Sequence, residues 1–522
     1  MQSSVTLTDT THDLLVIGGG INGVGIAADA AGRGLDVVLC EKSDLANATS
    51  SASSKLIHGG LRYLEFYEFG LVRKSLQERE VLIKAAPHLI RPLAFQIPQL
   101  PHSRNSWMLR AGLFLYDNLA TRNRFKGSRG IRFGNESPLQ DSIKHGFEYW
   151  DGQVDDSRLV ILNAIQARLR GAHILTRTEC TALSTDRDGW RVTLLDHRRN
   201  EEKVISFKAV VNATGPWVSS FISRVDGGSA NQQPHQLRLV KGSHFVVPKI
   251  HDGEQAFLLQ HHDGRVVFVI PYLQNYSLIG TTEQEFEGDF DQVAISDDEI
   301  DYLLSIVNQY FKKSISSADI IHSFAGVRPL IDVQGKDSRR VSRDYRLELD
   351  TQHHPLLSVY GGKVTTYRKL AEDAVDRLKP FFPSAAPAWT AKAALPGGDF
   401  DMQESLFQKL ATEYAWLGQG LIKRWLQSYG TLSFGILQGA RGLSELGVKF
   451  GHDLYQREVD YLCSNEWAQN AEDVLWRRSK LGYQFSEKER SSLDNYISQS
   501  FSITSNDSQP QPQAEPESPP PI

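Results

Sequence analysis

Apolar residues follow three patterns along the chain. Near the N-terminus they run unbroken, as in Leu14-Leu-Val-Ile17 and Val37-Val-Leu-Cys40. Short continuous runs of this kind predict strands buried on both faces of a sheet. Between them, residues 24–33 are Ala-rich and helix-forming, and Gly34 ends the run. The whole unit has the length of a βαβ motif, about 30 residues. Further on the pattern loosens. Residues 71–86 predict a helix stopped by Pro87, and residues 87–150 read as irregular, rich in Pro, Arg and aromatics. An amphipathic helix is expected over 155–170, a strand over 172–176, and a hairpin from 191–196 and 204–211. From 237 to 290, β-branched and aromatic residues alternate between turns, which predicts antiparallel sheet. Residues 296–311 predict another helix, and 324–366 strand and Gly-rich loop. Beyond Pro396-Gly-Gly398 the period becomes helical, and residues 400–500 read as all-helical. The last stretch, 505–522, is rich in Ser, Gln and Pro, cannot bury a core and is expected to be disordered. No internal repeat stands out.

Composition narrows the class. The chain has 522 residues, 40% hydrophobic and 23% charged, enough for more than one core. A net charge of −5 does not suggest a nucleic-acid partner. Cys40, Cys180 and Cys463 are too far apart for a metal motif or a disulfide framework, which points to a reducing compartment. No signal peptide and no run of about 18 apolar residues occurs, so no membrane span is expected.

The first chemistry lies at the end of the first strand. Gly18-x-Gly20-x-x-Gly23 sits between strand and helix. Gly18 permits the tight turn, Gly20 lets backbone approach a pyrophosphate, and Gly23 lets helix pack on strand. The helix N-terminus then offers free N–H groups to the anion. Glu41 closes the second strand, 18 residues after Gly23, where a carboxylate can accept from ribose hydroxyls. A strand ending in Asn212-Ala-Thr-Gly215 and the loop Gly361-Gly-Lys-Val-Thr-Thr366 favour FAD over NAD. In that loop Gly362, Lys363, Thr365 and Thr366 can hold negative charge on a reduced flavin ring. No second fingerprint in strand context exists, so the electron donor is expected to be a small substrate and not NAD.

These elements resemble the FAD-dependent glycerol-3-phosphate dehydrogenases of the bacterial aerobic type. The matching stretches are IGGGINGVGIAADAA from Ile17, ATSSASSKLIHGGLRY from Ala48, NATGPW from Asn212 and KGSHFVVP from Lys241. GVRPL from Gly326, GGKVTTYRKL from Gly361 and EDVLWRRSKLG from Glu472 match as well. The resemblance covers residues from about 12 to 500 and departs from the family in the Pro-rich tail. It implies oxidation of sn-glycerol 3-phosphate to dihydroxyacetone phosphate by hydride transfer to noncovalent FAD, with a membrane quinone as acceptor and a homodimer as the assembly. The fold class expected is α/β. A Rossmann-type FAD-binding domain of the glutathione-reductase or D-amino-acid-oxidase kind (residues 12–80, 150–225 and 320–380) would carry an antiparallel-sheet, membrane-facing substrate domain (81–149 and 226–319). A helical domain (390–503) and a disordered tail (504–522) would follow.

Individual side chains then take candidate roles. Arginine forks two hydrogen bonds to phosphate oxygens, so Arg62 and Arg328 are the first choices for a phosphate clamp, with Arg343 third. Each alone would ordinarily be a solvated or salt-bridged surface arginine. Lys363 could hold a substrate oxygen or a flavin anion. His244 is the candidate base for the alcohol proton and His58 its rival, because imidazole titrates in the right range; a packing role at a strand edge is the plain alternative. Ser53, Ser54 and Lys55 are expected on the flavin and its phosphates, Gly59 and Gly60 against the ring, Arg62 and Tyr63 toward the substrate. The plain alternative is a polar loop capping the next helix.

Residues 104–129 place six basic residues and one acidic residue around an apolar centre. Trp107, Leu113, Phe114 and Tyr116 could enter a headgroup region while the cations hold anionic lipid. This predicts a cytoplasmic protein attached peripherally to the inner face of the membrane. Three rivals remain: an oxidase delivering electrons to dioxygen, an FAD-dependent hydroxyacid or amine oxidase gripping a carboxylate with the same arginines, and a noncatalytic flavin sensor.

Overall fold

His12–Ile17 is the middle of the first sheet, lying parallel between Val37–Glu41 and Glu201–Asn212. His173–Thr176 extends it on one side and Leu356–Tyr360 on the other, both parallel. Arg346–Asp350 closes that edge antiparallel. Successive side chains go to opposite faces, so the unbroken apolar run feeds two cores. Leu14 and Val16 join the helices Ile21–Gly32, Asp156–Leu169 and Tyr367–Leu378. Leu15 and Ile17 instead meet Trp190, Val192 and Phe207, from the antiparallel meander Thr178–Thr185, Trp190–Asp196 and Glu201–Asn212. The computed structural model describes residues 11–100, 104–222, 237–331 and 344–501; Arg343 and the tail 504–522 lie outside the described residues.

The helix expected to be amphipathic is not. Asp156–Leu169 is buried from Asp156 through Ala167, because sheet, neighbouring helix and C-terminal domain enclose it.

Among the described residues the second sheet has ten strands. Leu237–Pro248 pairs antiparallel with both His322–Ile331 and Tyr276–Gly280. Val266–Tyr272 and Ala256–Gln260 continue the order to Ile90–Pro98 and His145–Val154. The stretch read as irregular, 87–150, therefore holds two long strands, the short strand Arg129–Arg132 and the helix Ser106–Asn118. Pro92 and Pro98 hide the first of these strands, and the polar residues within His145–Val154 hide the second. Leu56–Ile57 ends this sheet, so the chain crosses from the first sheet to the second just after the fingerprint.

Residues 403–501 build their own core around Trp425, Tyr429 and Leu462. That domain also contains a π-helical turn, Asp473–Arg478, and a two-stranded ribbon, where helix alone was expected. The turn docks it: Arg477 and Arg478 both grip Asp44, at 2.6 and 2.7 Å. Burial would raise the Asp44 carboxyl, but the two guanidiniums outweigh it and hold it below the usual range. None of the three cysteines forms a disulfide, and all three are buried. Among the described residues no helix is long and apolar enough to cross a membrane.

Candidate active site

The fingerprint forms a cradle. Gly18 adopts φ +113°, and a side chain there would sit 2.5 Å from the Ala213 carbonyl. At Gly23 it would sit 1.9 Å from the Gly18 carbonyl, so helix and turn close on each other only with glycine in both places. At Gly20 it would meet just Ser50 Oγ, at 3.1 Å, and otherwise open space. Gly20 is the N-cap of Ile21–Gly32 and has no side-chain cap bond. A helix N-terminus left open behind a glycine turn fits a pyrophosphate. Ser50, which the sequence did not single out, accepts from the Ile21 N–H at 3.0 Å and borders the same space.

Glu41 accepts from the backbone N–H groups of Gly19 at 2.7 Å and Ser43 at 2.8 Å. Burial raises its carboxyl pKa, against those two bonds. Each oxygen keeps a lone pair for a ribose hydroxyl.

At the other end of the cradle three distant segments meet. The His58 N–H donates to Thr365 Oγ1 at 3.1 Å, and Asn22 Nδ2 donates to the Gly361 carbonyl at 3.1 Å. Gly59 N–H donates to the Tyr116 hydroxyl at 2.8 Å, which itself donates to Asp151. Gly362 lies against Asn22 and Leu370, and Thr366 is buried at the cap of Tyr367–Leu378. Gly60 caps the short helix Leu61–Phe66, which carries Arg62 and Tyr63. Gly215 opens the turn after the strand that ends at Asn212.

Ser53 and Lys55 point elsewhere than expected. Ser53 Oγ donates to Asp156 at 2.7 Å, and the Lys55 ammonium donates to Asp156 at 2.8 Å and to the Ser51 carbonyl at 2.9 Å. Lys55 is 3% exposed. Both side chains anchor the loop to the start of Asp156–Leu169. Asp156, the residue after the N-cap Asp155, was not singled out in the sequence.

Ser54 turns the opposite way, to His244 Nε2 at 2.9 Å. The imidazole is 1% exposed and stacks on Phe324 with centroids 5.1 Å apart. Its Nδ1 is sealed and has no hydrogen-bond partner among the described residues. Burial first, then the charges of Arg328 and Lys55, pull its pKa down to about 3. His244 and Arg328 lie on paired strands, with Val240 opposite Arg328 and His244 opposite Phe324. Arg328 Nη2 donates to Thr281 Oγ1 at 3.5 Å. Two residues on, Glu283 accepts from Arg62 at 3.1 Å. The Lys363 ammonium stands 3.9 Å over the Tyr63 ring. Contacts thus run from Lys363 through Tyr63 and Arg62 to Glu283, and through Thr281 to Arg328. Thr281 and Glu283 were not singled out in the sequence, which reads there only as part of the antiparallel sheet over 237–290.

The helix Ser106–Asn118 lies on the surface. Trp107 is 68% exposed and Phe114 62%, with Met108 and Leu115 beside them. Leu113 and Tyr116, expected to face lipid, are instead buried, since Tyr116 reaches in to Gly59 and Asp151. Three of the flanking cations pair with carboxylates: Arg104 with Glu65, Arg122 with Asp117 and Arg129 with Glu148.

A glycine-cradled helix N-terminus and a strand-end carboxylate, with Arg62, Arg328 and Lys363 near them, are those of a dinucleotide-binding oxidoreductase. Comparisons agree. Residues 13–368 match the family described as FAD dependent oxidoreductase, and residues 388–499 the C-terminal domain of alpha-glycerophosphate oxidase. A glycerol-3-phosphate dehydrogenase of Pseudomonas aeruginosa is 54% identical, over 93% of this chain and 95% of its own. The aerobic glycerol-3-phosphate dehydrogenase of Escherichia coli is 47% identical over 93% and 97%, and a D-erythritol 1-phosphate dehydrogenase of Brucella abortus 46% over 92% and 97%. The crystal structure of a Bacillus halodurans glycerol-3-phosphate dehydrogenase complexed with FAD superposes with a TM-score of 0.71 at 25% identity, covering 94% of each chain. The chain belongs to the FAD-dependent glycerol-3-phosphate dehydrogenase family, and FAD is its cofactor.

Proposed function

We propose that this protein oxidises sn-glycerol 3-phosphate to dihydroxyacetone phosphate and passes the electrons to a membrane quinone. The observation that carries this is the convergence of Arg62, Arg328 and Lys363 beside the cradle. A phosphate dianion is the ligand such a set suits best. The relatives' names support the same substrate. Bound FAD, held noncovalently by Gly18, Gly20, Gly23, Glu41 and the loops 58–60 and 361–366, supplies the acceptor for a hydride leaving C2.

The chain's own groups do the rest. Arg62 and Arg328 hold the phosphate, and Arg343 is a third candidate for the clamp. Lys363 and Tyr63 orient the polyol. His244 takes the alcohol proton through Ser54, whose hydroxyl is the one polar contact its ring makes among the described residues. Arg328 contributes to the depressed basicity of His244. A phosphate dianion on Arg328 offsets that charge, so the base strengthens when substrate is in place. The exposed face of Ser106–Asn118 seats the protein on the bilayer where the quinone resides, with homodimer formation as the family resemblance implies.

A D-erythritol 1-phosphate dehydrogenase is about as similar as the Escherichia coli enzyme. A longer polyol phosphate is therefore the second reading. Anaerobic mixing of the holoprotein with sn-glycerol 3-phosphate, D-erythritol 1-phosphate, glycerol and lactate tests both. Bleaching of the flavin by sn-glycerol 3-phosphate, with an equivalent of dihydroxyacetone phosphate formed, is expected. Bleaching by lactate but by neither phosphate would overturn the assignment.

A further inference from the structure

Two buried glycines, Gly59 and Gly60, lead the chain to Arg62. Gly60 takes φ +80° and caps the short helix Leu61–Phe66, which carries Arg62 and Tyr63. Glycine is the most permissive residue, so the pair by itself would let that helix swing. A contact from another element removes the freedom. The Gly59 N–H donates to the Tyr116 hydroxyl at 2.8 Å, and a side chain on Gly59 would sit 2.6 Å from that oxygen. The hydroxyl's own proton goes to Asp151, 2.7 Å away. Asp151 also accepts from the Gly59 N–H at 3.4 Å and pairs with Arg79 at 2.6 Å, the two side chains being 2% and 1% exposed. Arg79 is held in turn by the Trp150 carbonyl at 2.8 Å and lies 3.9 Å over the Phe125 ring. The Tyr116 ring packs edge-on against Tyr149, with centroids 5.9 Å apart. Tyrosine, aspartate and arginine are each fixed by a further contact.

We propose that Tyr116 is a positioning residue: its hydroxyl fixes the Gly59 peptide and, through Gly60, the direction in which Arg62 leaves the chain toward the substrate phosphate. The proposal rests on the reading of Arg62 as part of the phosphate clamp. A buried amide such as that of Gly59 needs an acceptor. Because the hydroxyl gives its proton to a carboxylate, a lone pair is left for the amide, and the bond has one direction. One residue earlier, the His58 N–H is tied to Thr365 Oγ1 in the loop 361–366. The segment 58–60 is thus held from two sides, and Arg62 follows within one turn. Glu283 holds the guanidinium end of Arg62 at 3.1 Å, and Tyr116 holds the backbone that carries it. A cation already aimed loses less freedom when a ligand arrives, so the aim is worth affinity. Tyr116 is 2% exposed and acts through Arg62, without a substrate contact of its own.

Radiolabelled inorganic phosphate, dialysed to equilibrium against the oxidised holoprotein, measures this without turnover. Tyr116→Phe keeps the ring and its packing and removes the hydroxyl. Its phosphate affinity is expected to fall about tenfold, the scale of one buried hydrogen bond. In an Arg62→Ala background the same change should cost less than about twofold, because the residue it aims is gone. An affinity in Tyr116→Phe within about twofold of wild type, with flavin retained, would overturn the proposal. So would an equal loss in both backgrounds, which is what a general loosening of the core produces. With sn-glycerol 3-phosphate, the half-saturating concentration for flavin reduction should rise by the same factor while the limiting rate stays unchanged. If Tyr116→Phe fails to hold flavin, Asp151→Asn carries the test, since it leaves the hydroxyl in place on a weaker acceptor; an unchanged phosphate affinity there counts against the proposal. Arg62→Ala with wild-type phosphate affinity removes Arg62 from the clamp and the proposal with it. Bleaching by sn-glycerol 3-phosphate with no effect of Tyr116→Phe removes the role of Tyr116 alone. No bleaching, with the effect of Tyr116→Phe present, removes the substrate and leaves the aimed clamp.

Discussion

His244 shows how far one residue's environment can depart from its sequence context. Lys241-Gly-Ser-His244 reads as a strand with an available imidazole. The fold buries the ring completely and leaves Ser54 as its polar outlet. Replacing Ser54 with Ala should therefore slow flavin reduction nearly as much as His244→Asn, by about 100-fold, the scale of a positioned base. Rapid mixing would measure both; a Ser54→Ala rate equal to wild type would leave His244 a packing residue. Arg328→Ala should raise KM for the phosphorylated substrate by about tenfold to 100-fold with flavin still bound. An unchanged KM would remove it from the clamp. The cradle glycines were legible because their reason is local, a turn and a close approach. The partners of Arg62 and Lys55 were not, because Glu283 and Asp156 arrive from 221 and 101 residues away.

At the scale of elements, the crossing from first to second sheet explains the density of polar groups over residues 53–65. Ser53 and Lys55 fasten the crossing strand to Asp156, Ser54 serves His244, and the Gly pair leads into the helix with Arg62. The strands of the first sheet were legible from their unbroken apolar runs. Those within 87–150 were not, since Pro92 and Pro98 occupy one of them and polar residues interrupt the other. The surface helix Ser106–Asn118 was legible as an apolar segment, but its burial pattern was inverted at Leu113 and Tyr116 by the bond to Gly59. Its exposed side is Trp107, Met108, Phe114 and Leu115. Trp107→Ser with Phe114→Ser should cut binding to anionic vesicles at least tenfold in a flotation assay, while reduction by soluble substrate stays unchanged. Undiminished flotation would place the membrane contact elsewhere.

At the scale of the whole molecule, stability should fall on the acid side of neutrality. Burial holds His88 and His244 near a pKa of about 3 and His251 near about 4, all below the ordinary histidine value. In the unfolded chain they titrate near 6.5. The folded form thus binds fewer protons, so their contribution is full above that pH and is lost as pH falls toward the folded values. Each costs about 1.4 kcal/mol per pH unit on the way down. The urea midpoint should drop between pH 7 and pH 5, and less steeply in His251→Asn; a flat midpoint would mean these rings are hydrated. The helical domain adds a second whole-molecule feature, its docking through Asp44 onto Arg477 and Arg478. The motif was visible in the sequence, but its task became clear only with Asp44 opposite it, 434 residues away.

On the proposed function, a phosphate-clamped secondary alcohol gives its C2 hydride to the flavin. The most direct measurement is anaerobic stopped-flow reduction of the holoprotein by sn-glycerol 3-phosphate and by the same substrate deuterated at C2. Complete bleaching by both is expected, slower with the deuterated compound. Absence of bleaching with the flavin fully bound, or equal rates under conditions where reduction itself is observed, would contradict it.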